Sequence, residues 1–201
     1  IILLISNSKA EENNIKQFPH DNGILSIMYH RFNESKYPST NIQMDIFMDH
    51  IQLIKDLNYE FIHSEDFIKK FNVPKKQKKI LLTIDDAFQS FYEAAWPFLK
   101  KNKIPFILFV STEPIGNKGY MTWDQIREIE KESFATIGHH SHSHEYLIDK
   151  NDQEFINDTE IASRLFKKEL GYVPSLFSYP FGEYSEFMRN YVSNNFSFAF
   201  G

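Results

Sequence analysis

The feature that most constrains the fold is a repeated alternation of short apolar runs with longer amphipathic segments. Residues 80–84 are almost continuously apolar, as is typical of a strand covered on both faces in a parallel sheet. Runs of similar character at 24–29, 106–110, 135–137 and 176–179 predict further strands. Parallel strands need crossover connections, which leaves an open doubly wound sheet or a closed barrel. In both architectures the chemistry gathers at the carboxyl ends of the strands.

The segments between the apolar runs have helical spacing. Asn41 is predicted to begin a helix that places Phe47, Ile51, Ile54 and Leu57 on one face. Further helices are predicted over 89–101, 123–132 and 152–170, the last of them ended by Gly171.

Composition narrows the possible functions. The chain has 201 residues, which suits one domain with a substantial core. It contains no Cys, so disulfides, thiolate catalysis and thiolate metal ligands are excluded, and any metal must be bound by His, Asp or Glu. The formal charge of −5 argues against a nucleic-acid partner, which would require a dominant basic face.

The two ends of the sequence carry separate signals. Residues 1–10 begin with an apolar run and end in small residues, as in the tail of a secretory signal, and we interpret them as a signal-peptide remnant or N-terminal extension. A hydrophobic first strand is the alternative. Residues 196–200 alternate large aromatic and small side chains like a strand that must pack against something. We therefore expect a domain over 11–201 that is incomplete at its C-terminal end.

Polar residues follow three of the predicted strands. Asp85 and Asp86 end the run at 80–84, four histidines lie within residues 139–144, and the segment 179–182 follows the last run. The aspartates alone also suit a turn or a helix cap. The histidines could form a solvated polar loop, but they lie inside the fold, and His140 and His144 can reach one ion if the backbone turns between them. We favour metal ligation.

These motifs, in this order, resemble those of a known family. The segments Thr83–Ala87, His140–His144 and Tyr179–Gly182 closely resemble the first three motifs of the polysaccharide deacetylases with NodB homology, carbohydrate esterase family 4. Ile27–His30 and Met121–Asp124 look like further family features. The resemblance implies an α/β fold, a distorted (β/α) barrel with fewer than eight complete repeats. It also implies a divalent metal, usually Zn²⁺, that takes part in removing acetyl groups from N-acetylated sugars.

The resemblance also assigns roles to individual residues. It makes Asp86, His140 and His144 the metal ligands and Asp85 the catalytic base. One carboxylate and two neutral imidazoles leave a zinc ion with an open position for water, whose pKa can fall to about 7. By the same analogy the backbone N–H of Phe181 donates to the oxyanion.

The remaining candidate residues would contact the substrate. His30 could contact a sugar or replace the general acid, although a partly buried structural histidine is an equal alternative. Trp123 could form a wall for a sugar ring, although a Trp at the start of an amphipathic helix equally suits the core. The third motif completes the predicted substrate contacts with Tyr179, Pro180, Phe181 and Gly182.

Three departures from the family pattern matter. Ser178 stands just before Tyr179, where the family often carries an Arg that holds the base, so another group must set the pKa of Asp85. Ala87 replaces a common Gly, and we expect ordinary backbone angles there. The general acid of the family is a His in a later motif, which we expect beyond residue 201.

The sequence thus predicts an exported enzyme, periplasmic, cell-surface or secreted. It would hydrolyse the N-acetyl groups of a polymer such as poly-N-acetylglucosamine, peptidoglycan or a chitin-like chain. The alternatives are a metal-dependent amidase for another amide and an inactive glycan-binding module of the same fold. A basic run also suggests peripheral contact with an anionic cell envelope, although such a run is usually a solvated loop. Its members are Lys69, Lys70, Lys75, Lys76, Lys78 and Lys79.

Overall fold

A computed structural model describes residues 24–70 and 78–201. Its strands are β1 (Ile24–Tyr29), β2 (Arg31–Phe32), β3 (Asn41–Ile42), β4 (Glu60–Phe61), β5 (Lys79–Asp85), β6 (Phe106–Val110), β7 (Ala135–His139), β8 (Leu176–Ser178) and β9 (Phe198–Phe200). Its helices are α1 (Met44–Asp56), α2 (Ser64–Lys70), α3 (Trp96–Asn102), α4 (Trp123–Glu130), α5 (Asp152–Leu170) and α6 (Glu186–Asn195), with one π-helical turn (Phe91–Ala95) before α3.

One parallel sheet organises the described residues, with strand order β1-β5-β6-β7-β8-β9 and β4 paired with the start of β5. The sheet is curled. Its two ends approach each other, since Ile24 of β1 and Phe198 of β9 pack against the same apolar cluster, which includes Phe109 on the inner face. Within the described residues the edge strands β1 and β9 do not pair with each other. The architecture is therefore a half-barrel, and the predicted distorted (β/α) barrel is confirmed in this open form.

Helices cover the outer face of the sheet. Leu82 and Ile84 of β5 and Leu108 of β6 point into the larger core, where side chains of α1, α3, α4 and α5 pack against them. The central strands β5 and β6 are apolar on both faces because both faces are buried. No helix among the described residues is long and apolar enough to cross a bilayer.

Several predicted elements coincide with the observed ones. The strands at 24–29 and 106–110 and the helix at 152–170 have the predicted bounds, and Gly171 ends that helix with a φ of +86°. The helix predicted from Asn41 was wrong at its start, because Asn41 belongs to β3 and α1 begins at Met44. Leu57 lies beyond that helix and is half exposed. Helix α6 was not predicted.

The predicted N-terminal segment 1–10 lies outside the described residues. So do Lys75 and Lys76 of the basic run. Of its described members, Lys79 pairs with Glu60, and Lys78 donates to the carbonyl of Leu57 at 2.8 Å. These two cations therefore serve local contacts, and contact with a cell envelope stays a prediction.

Candidate active site and metal centre

The two aspartates after β5 differ in backbone conformation. Asp85 is the last residue of the strand, whereas Asp86 has a φ of +74°. This reversal turns the second carboxylate out of the strand direction, so the two acids need not face the same point. Ala87 follows with a φ of +55°, so the expectation of ordinary angles there was wrong. The side chain of Ala87 is fully buried, and packing holds it in the left-handed region.

Contacts from two sides fix the loop that follows β7, residues 140–144, which we call the histidine loop. The hydroxyl of Ser111, just after β6, donates to the carbonyl of His140 at 2.7 Å. From α5, the carboxylate of Asp158 accepts the backbone N–H groups of His142 and Ser143 at 2.7 and 2.9 Å. Asp158 was missed by the sequence analysis, because it acts through backbone groups and belongs to no motif.

The loop brings three potential ligands to one point. The Nε2 atoms of His144 and His140 lie 3.0 and 3.4 Å from Oδ1 of Asp86. One donor atom from each of the three residues falls within 4.8 Å of the others. Asp86 and His140 are buried, and His144 is partly exposed. The structure thus brings together the three residues that the sequence predicted as ligands.

The chemistry of these donor atoms fits a divalent cation. Nδ1 of His140 donates to the carbonyl of Ser178 at 2.8 Å, which leaves its Nε2 lone pair facing Asp86. Oδ1 of Asp86 is buried and makes no well-aligned hydrogen bond among the described residues, although the Nε2 atoms of His144 and His140 lie 3.0 and 3.4 Å away. An unpartnered buried carboxylate oxygen is costly unless a cation binds it. Two imidazoles and one carboxylate are also a three-ligand set found at catalytic zinc sites.

Opposed influences set the charges in the cluster. Burial favours the protonated form of Asp86, but the neighbouring His140 and His144 outweigh it and hold the pKa of this carboxyl far below its usual range. Burial opposes charge on His140 as well, but Asp86 and Asp85 raise the pKa of its imidazole. The carboxylate that would bind a cation is therefore ionised.

Asp85 lies beside the cluster rather than in it. One of its oxygens, Oδ2, is 3.9 Å from Nε2 of His140 and accepts a hydrogen bond from the hydroxyl of Ser178 at 3.3 Å. Its other oxygen is buried without a hydrogen-bond partner among the described residues. Burial raises the pKa of Asp85, while His140 and His30 oppose that shift. Ser178 thus contacts the carboxylate at the place where the family often uses an Arg.

A central cavity of about 560 Å³ opens over these groups and contains most of the predicted substrate contacts. Phe181 lines it in a left-handed conformation, with a φ of 60°, and its exposed ring stacks on that of Tyr146 at 4.3 Å. Tyr146 was not predicted. Of the candidate residues, the lining includes Asp85, Asp86, His140, His144, His30, Tyr179, Phe181 and Gly182.

Two predicted substrate contacts lie apart from the cavity lining. Pro180 is buried beneath its loop. Trp123 begins α4 and packs edge-on against Phe166 in the larger core, at 5.8 Å between ring centroids. This placement favours the core interpretation of Trp123, and its contact with a sugar stays a prediction.

The motifs and the half-barrel together define a class of protein, the carbohydrate deacetylases. Comparison with known families identifies the group: residues 72–195 match the model of the polysaccharide deacetylases. The chain belongs to this family, whose members are hydrolases of carbon–nitrogen bonds other than peptide bonds. The resemblance inferred from the motifs is confirmed.

Two curated relatives illustrate the similarity. The chain is 25% identical over 162 residues to the putative polysaccharide deacetylase YxkH of Bacillus subtilis, covering 80% of this chain and 57% of that protein. It is 25% identical over 206 residues to the poly-β-1,6-N-acetyl-D-glucosamine N-deacetylase of Staphylococcus epidermidis, covering 88% of this chain and 71% of that protein.

Solved structures support the fold. IcaB from Ammonifex degensii superposes with a TM-score of 0.78 at 24% identity, covering 87% of this chain and 81% of that one. The Streptococcus pyogenes deacetylase PplD gives a TM-score of 0.76 at 22% identity, with the same coverage. At these identities the likeness concerns the fold.

Proposed function

We propose that this chain hydrolyses the N-acetyl groups of a β-linked N-acetylglucosamine polysaccharide with the help of a divalent cation, Zn²⁺ foremost. Asp86, His140 and His144 would hold the cation. The observation that carries the proposal is their convergence beside the separate carboxylate of Asp85 in one cavity. The name of the Staphylococcus relative, a poly-β-1,6-N-acetyl-D-glucosamine N-deacetylase, supports this class of substrate.

Held by these three residues, a divalent cation would polarise the acetamide carbonyl and lower the pKa of a water molecule. Asp85 accepts the proton of the attacking water, since its carboxylate is not one of the three converging ligands. Ser178 orients Asp85 through the hydroxyl hydrogen bond. The backbone N–H of Phe181 is the candidate donor to the oxyanion. The water oxygen then bonds to the carbonyl carbon, and the carbon–nitrogen bond breaks.

The leaving nitrogen needs a proton, and we assign its delivery to His30. This imidazole lines the central cavity, lies outside the ligand cluster, and is close enough to influence the charge of Asp85. This assignment differs from the expectation of a general acid beyond residue 201, which stays a prediction. Acetate and a free amine on the sugar are the products.

Leaving-group chemistry tests the role of His30. An aryl acetate releases a phenolate that needs little protonation, whereas an amide does not cleave without a proton on nitrogen. We expect His30→Asn to lose about 10²-fold or more of its deacetylation rate and to keep most of its aryl esterase rate. Equal losses on both substrates would show that His30 does not donate this proton.

The overall function is tested by acetate release. Zinc-loaded protein should release acetate from β-1,6- and β-1,4-linked N-acetylglucosamine oligomers, and chelation should stop the release. Comparison of the two linkages identifies the polymer. Binding of both oligomers without acetate release would instead favour a glycan-binding module, and hydrolysis of simple amides alone would favour a different amidase. Export, with residues 1–10 as the remnant of a signal, completes the proposal and is tested by locating the full-length product in cell fractions.

A further inference from the structure

A second cavity adjoins the Asp86–His140–His144 cluster, and the proposed function leaves this cavity without a role. This side cavity has a volume of about 470 Å³, which is ample for one sugar ring. It shares Asp86, His144 and Phe181 with the central cavity. A polysaccharide whose reacting residue lies in the central cavity can therefore place an adjacent residue in the side cavity.

The walls of the side cavity combine rings with polar groups. The rings of Phe88 and Tyr120 lie 5.0 Å apart, and Phe181 faces the same space. The apolar C–H face of a sugar packs well on such rings. Asn117 and Glu113 add polar groups to the lining.

Backbone hydrogen bonds fix the chain on both sides of the side cavity. The N–H of Glu113 donates to the carbonyl of His142 at 3.0 Å, which ties the loop after β6 to the histidine loop. On the other side, the N–H of Met121 donates to the carbonyl of Ala87 at 2.9 Å. The N–H of Gln89 donates to the carbonyl of Gly119 at the same distance. The cavity is thus formed before any ligand enters, which limits the entropic cost of binding.

Glu113 is the distinctive group in this cavity. Its side chain is exposed and makes no hydrogen bond or ion pair with the described residues. No Lys or Arg lines the cavity itself, but the guanidinium of Arg31 stacks on the Phe88 ring at 3.4 Å from its centroid and pairs with Glu34 at 3.0 Å. The charge of Arg31 is thus compensated by Glu34, and none of the ion pairs among the described residues includes Glu113. A cationic group on the ligand is the complement of the charge of Glu113.

We propose that the side cavity binds a glucosamine residue whose acetyl group has already been removed, with Glu113 pairing with its ammonium group. The inference rests on the proposed function and deepens it, because the recognised group is the product of the reaction. One round of hydrolysis then creates the group that favours binding of the same chain for the next round. The preferred substrate is a partly deacetylated polymer, and the free amines accumulate in neighbouring residues.

Defined tetramers test the proposal. Each carries one N-acetylglucosamine beside glucosamine, glucose or a second N-acetylglucosamine, in the linkage that the protein accepts. Glucose lacks both the charge and the acetyl group, so it separates recognition of the amine from relief of crowding. We expect kcat/KM to be about two- to fivefold higher with glucosamine than with glucose as the neighbour, a range suited to an exposed ion pair. The preference should fall at high salt.

Glu113→Gln is the decisive variant, because it removes the charge and keeps a hydrogen-bond acceptor. We expect it to abolish the preference for glucosamine and to leave activity on fully acetylated tetramers near that of the wild type. Glu160→Gln, an exposed substitution on α5, is the matched control and should keep the preference. A preference that survives Glu113→Gln, or its absence in the wild type, would overturn the proposal.

Equilibrium binding separates this inference from the proposed function. Glucosamine tetramers carry no acetyl group, so their affinity can be measured whether or not the protein hydrolyses acetamides. Glu113→Gln should weaken their binding by the same two- to fivefold. Unchanged affinity would refute the glucosamine subsite. Lack of acetate release from any oligomer would refute the proposed deacetylase activity, and the binding measurement would still decide whether the subsite exists.

Discussion

At the scale of single residues, one backbone reversal separates the carboxylates of Asp85 and Asp86, to which we assign different roles. The φ of +74° at Asp86 sends this carboxylate toward His140 and His144, while Asp85 keeps the strand direction and contacts Ser178. Five of the eight non-glycine residues with positive φ among the described residues lie in the loops around the cluster. They are Asp86, Ala87, Ser141, His144 and Phe181. Such strain persists where packing holds it, and it is often found at functional sites.

Two substitutions separate the base from the ligands. Asp85→Asn should keep its zinc and lose about 10²- to 10⁴-fold in turnover, because it removes the proton acceptor. His140→Ala should lose the metal itself. His142→Ala is the matched control, because this imidazole bonds to Thr112 instead of facing the cluster, and it should keep the metal. Metal analysis and acetate release measure both effects, and equal metal content with equal activity in all three variants would contradict the roles.

His139 provides a prediction about pH and stability. Burial lowers the pKa of its imidazole from 6.5 to about 3, and its Nδ1 accepts the N–H of Ser141 at 3.2 Å. The folded state therefore favours the neutral ring. Its contribution to stability is complete above pH 6.5 and is lost progressively as pH falls toward 3, because the unfolded chain gains a proton that the folded chain does not.

His139→Asn keeps an acceptor near Nδ1 and does not titrate in this range. Below about pH 6, the free energy of unfolding of the wild type should fall relative to the variant by up to about 1.4 kcal/mol per pH unit. Urea unfolding of both metal-free proteins at pH 7, 6 and 5 measures the difference. A constant difference across this range would mean that another group takes up the proton.

At the scale of elements, hydrophobic periodicity predicted strands and helices best where burial alone determines the local structure. The strand at 106–110 and the helix at 152–170 were predictable, since continuous apolar character and a terminal Gly171 leave few alternatives. The start of α1 was not predictable. Oδ1 of Asn41 accepts the N–H of Glu34 at 2.6 Å, and this bond holds Asn41 in the strand pair β2–β3. A tertiary contact of this kind leaves no sequence pattern.

The candidate site also contains residues that the sequence predicted and residues that it did not. The proposed ligands and the proposed base lie in motifs and were predicted, whereas Asp158 was not, since a carboxylate on a helix gives no sign that it will bind the backbone of a distant loop. Tyr146 was missed for a similar reason. Its stacking on Phe181 depends on the left-handed conformation of that residue, which the sequence does not reveal.

The contact between α5 and the histidine loop can be tested at Asp158. Asp158→Asn retains only one of the two acceptor oxygens for the N–H groups of His142 and Ser143. We expect zinc affinity to fall about 10- to 100-fold, because the loop that orients His140 and His144 loosens. Competition with a coloured chelator measures the affinity.

Asp152→Asn, in the first turn of the same helix, is the control and should bind zinc as the wild type does. A structural effect alone would lower the stability of the metal-free protein without changing the affinity of the folded protein. Stability lost with unchanged zinc affinity would therefore contradict the assignment of Asp158 as a positioning residue.

At the scale of the whole molecule, the cluster joins parts of the chain that are distant in sequence. Asp85 ends β5 and Asp86 follows it, His140 and His144 follow β7, and Ser178 at the end of β8 contacts Asp85 and His140. These strands are near neighbours in an open sheet, and the sheet order places their carboxyl ends side by side. A cation held between the loops would therefore link separate strands of the half-barrel.

Zinc should stabilise the folded chain as a whole, because the ligands converge only in the folded state. At a free concentration 100 times the Kd, the gain is about 2.7 kcal/mol, or a rise in Tm of roughly 5–10 °C for a chain of this size. Differential scanning calorimetry should show this rise for the wild type and for Asp85→Asn, and not for His140→Ala. A rise of the same size in His140→Ala would place the bound zinc elsewhere. No rise in the wild type at saturating zinc would contradict the metal centre, because a cation that binds the folded chain selectively must raise its Tm.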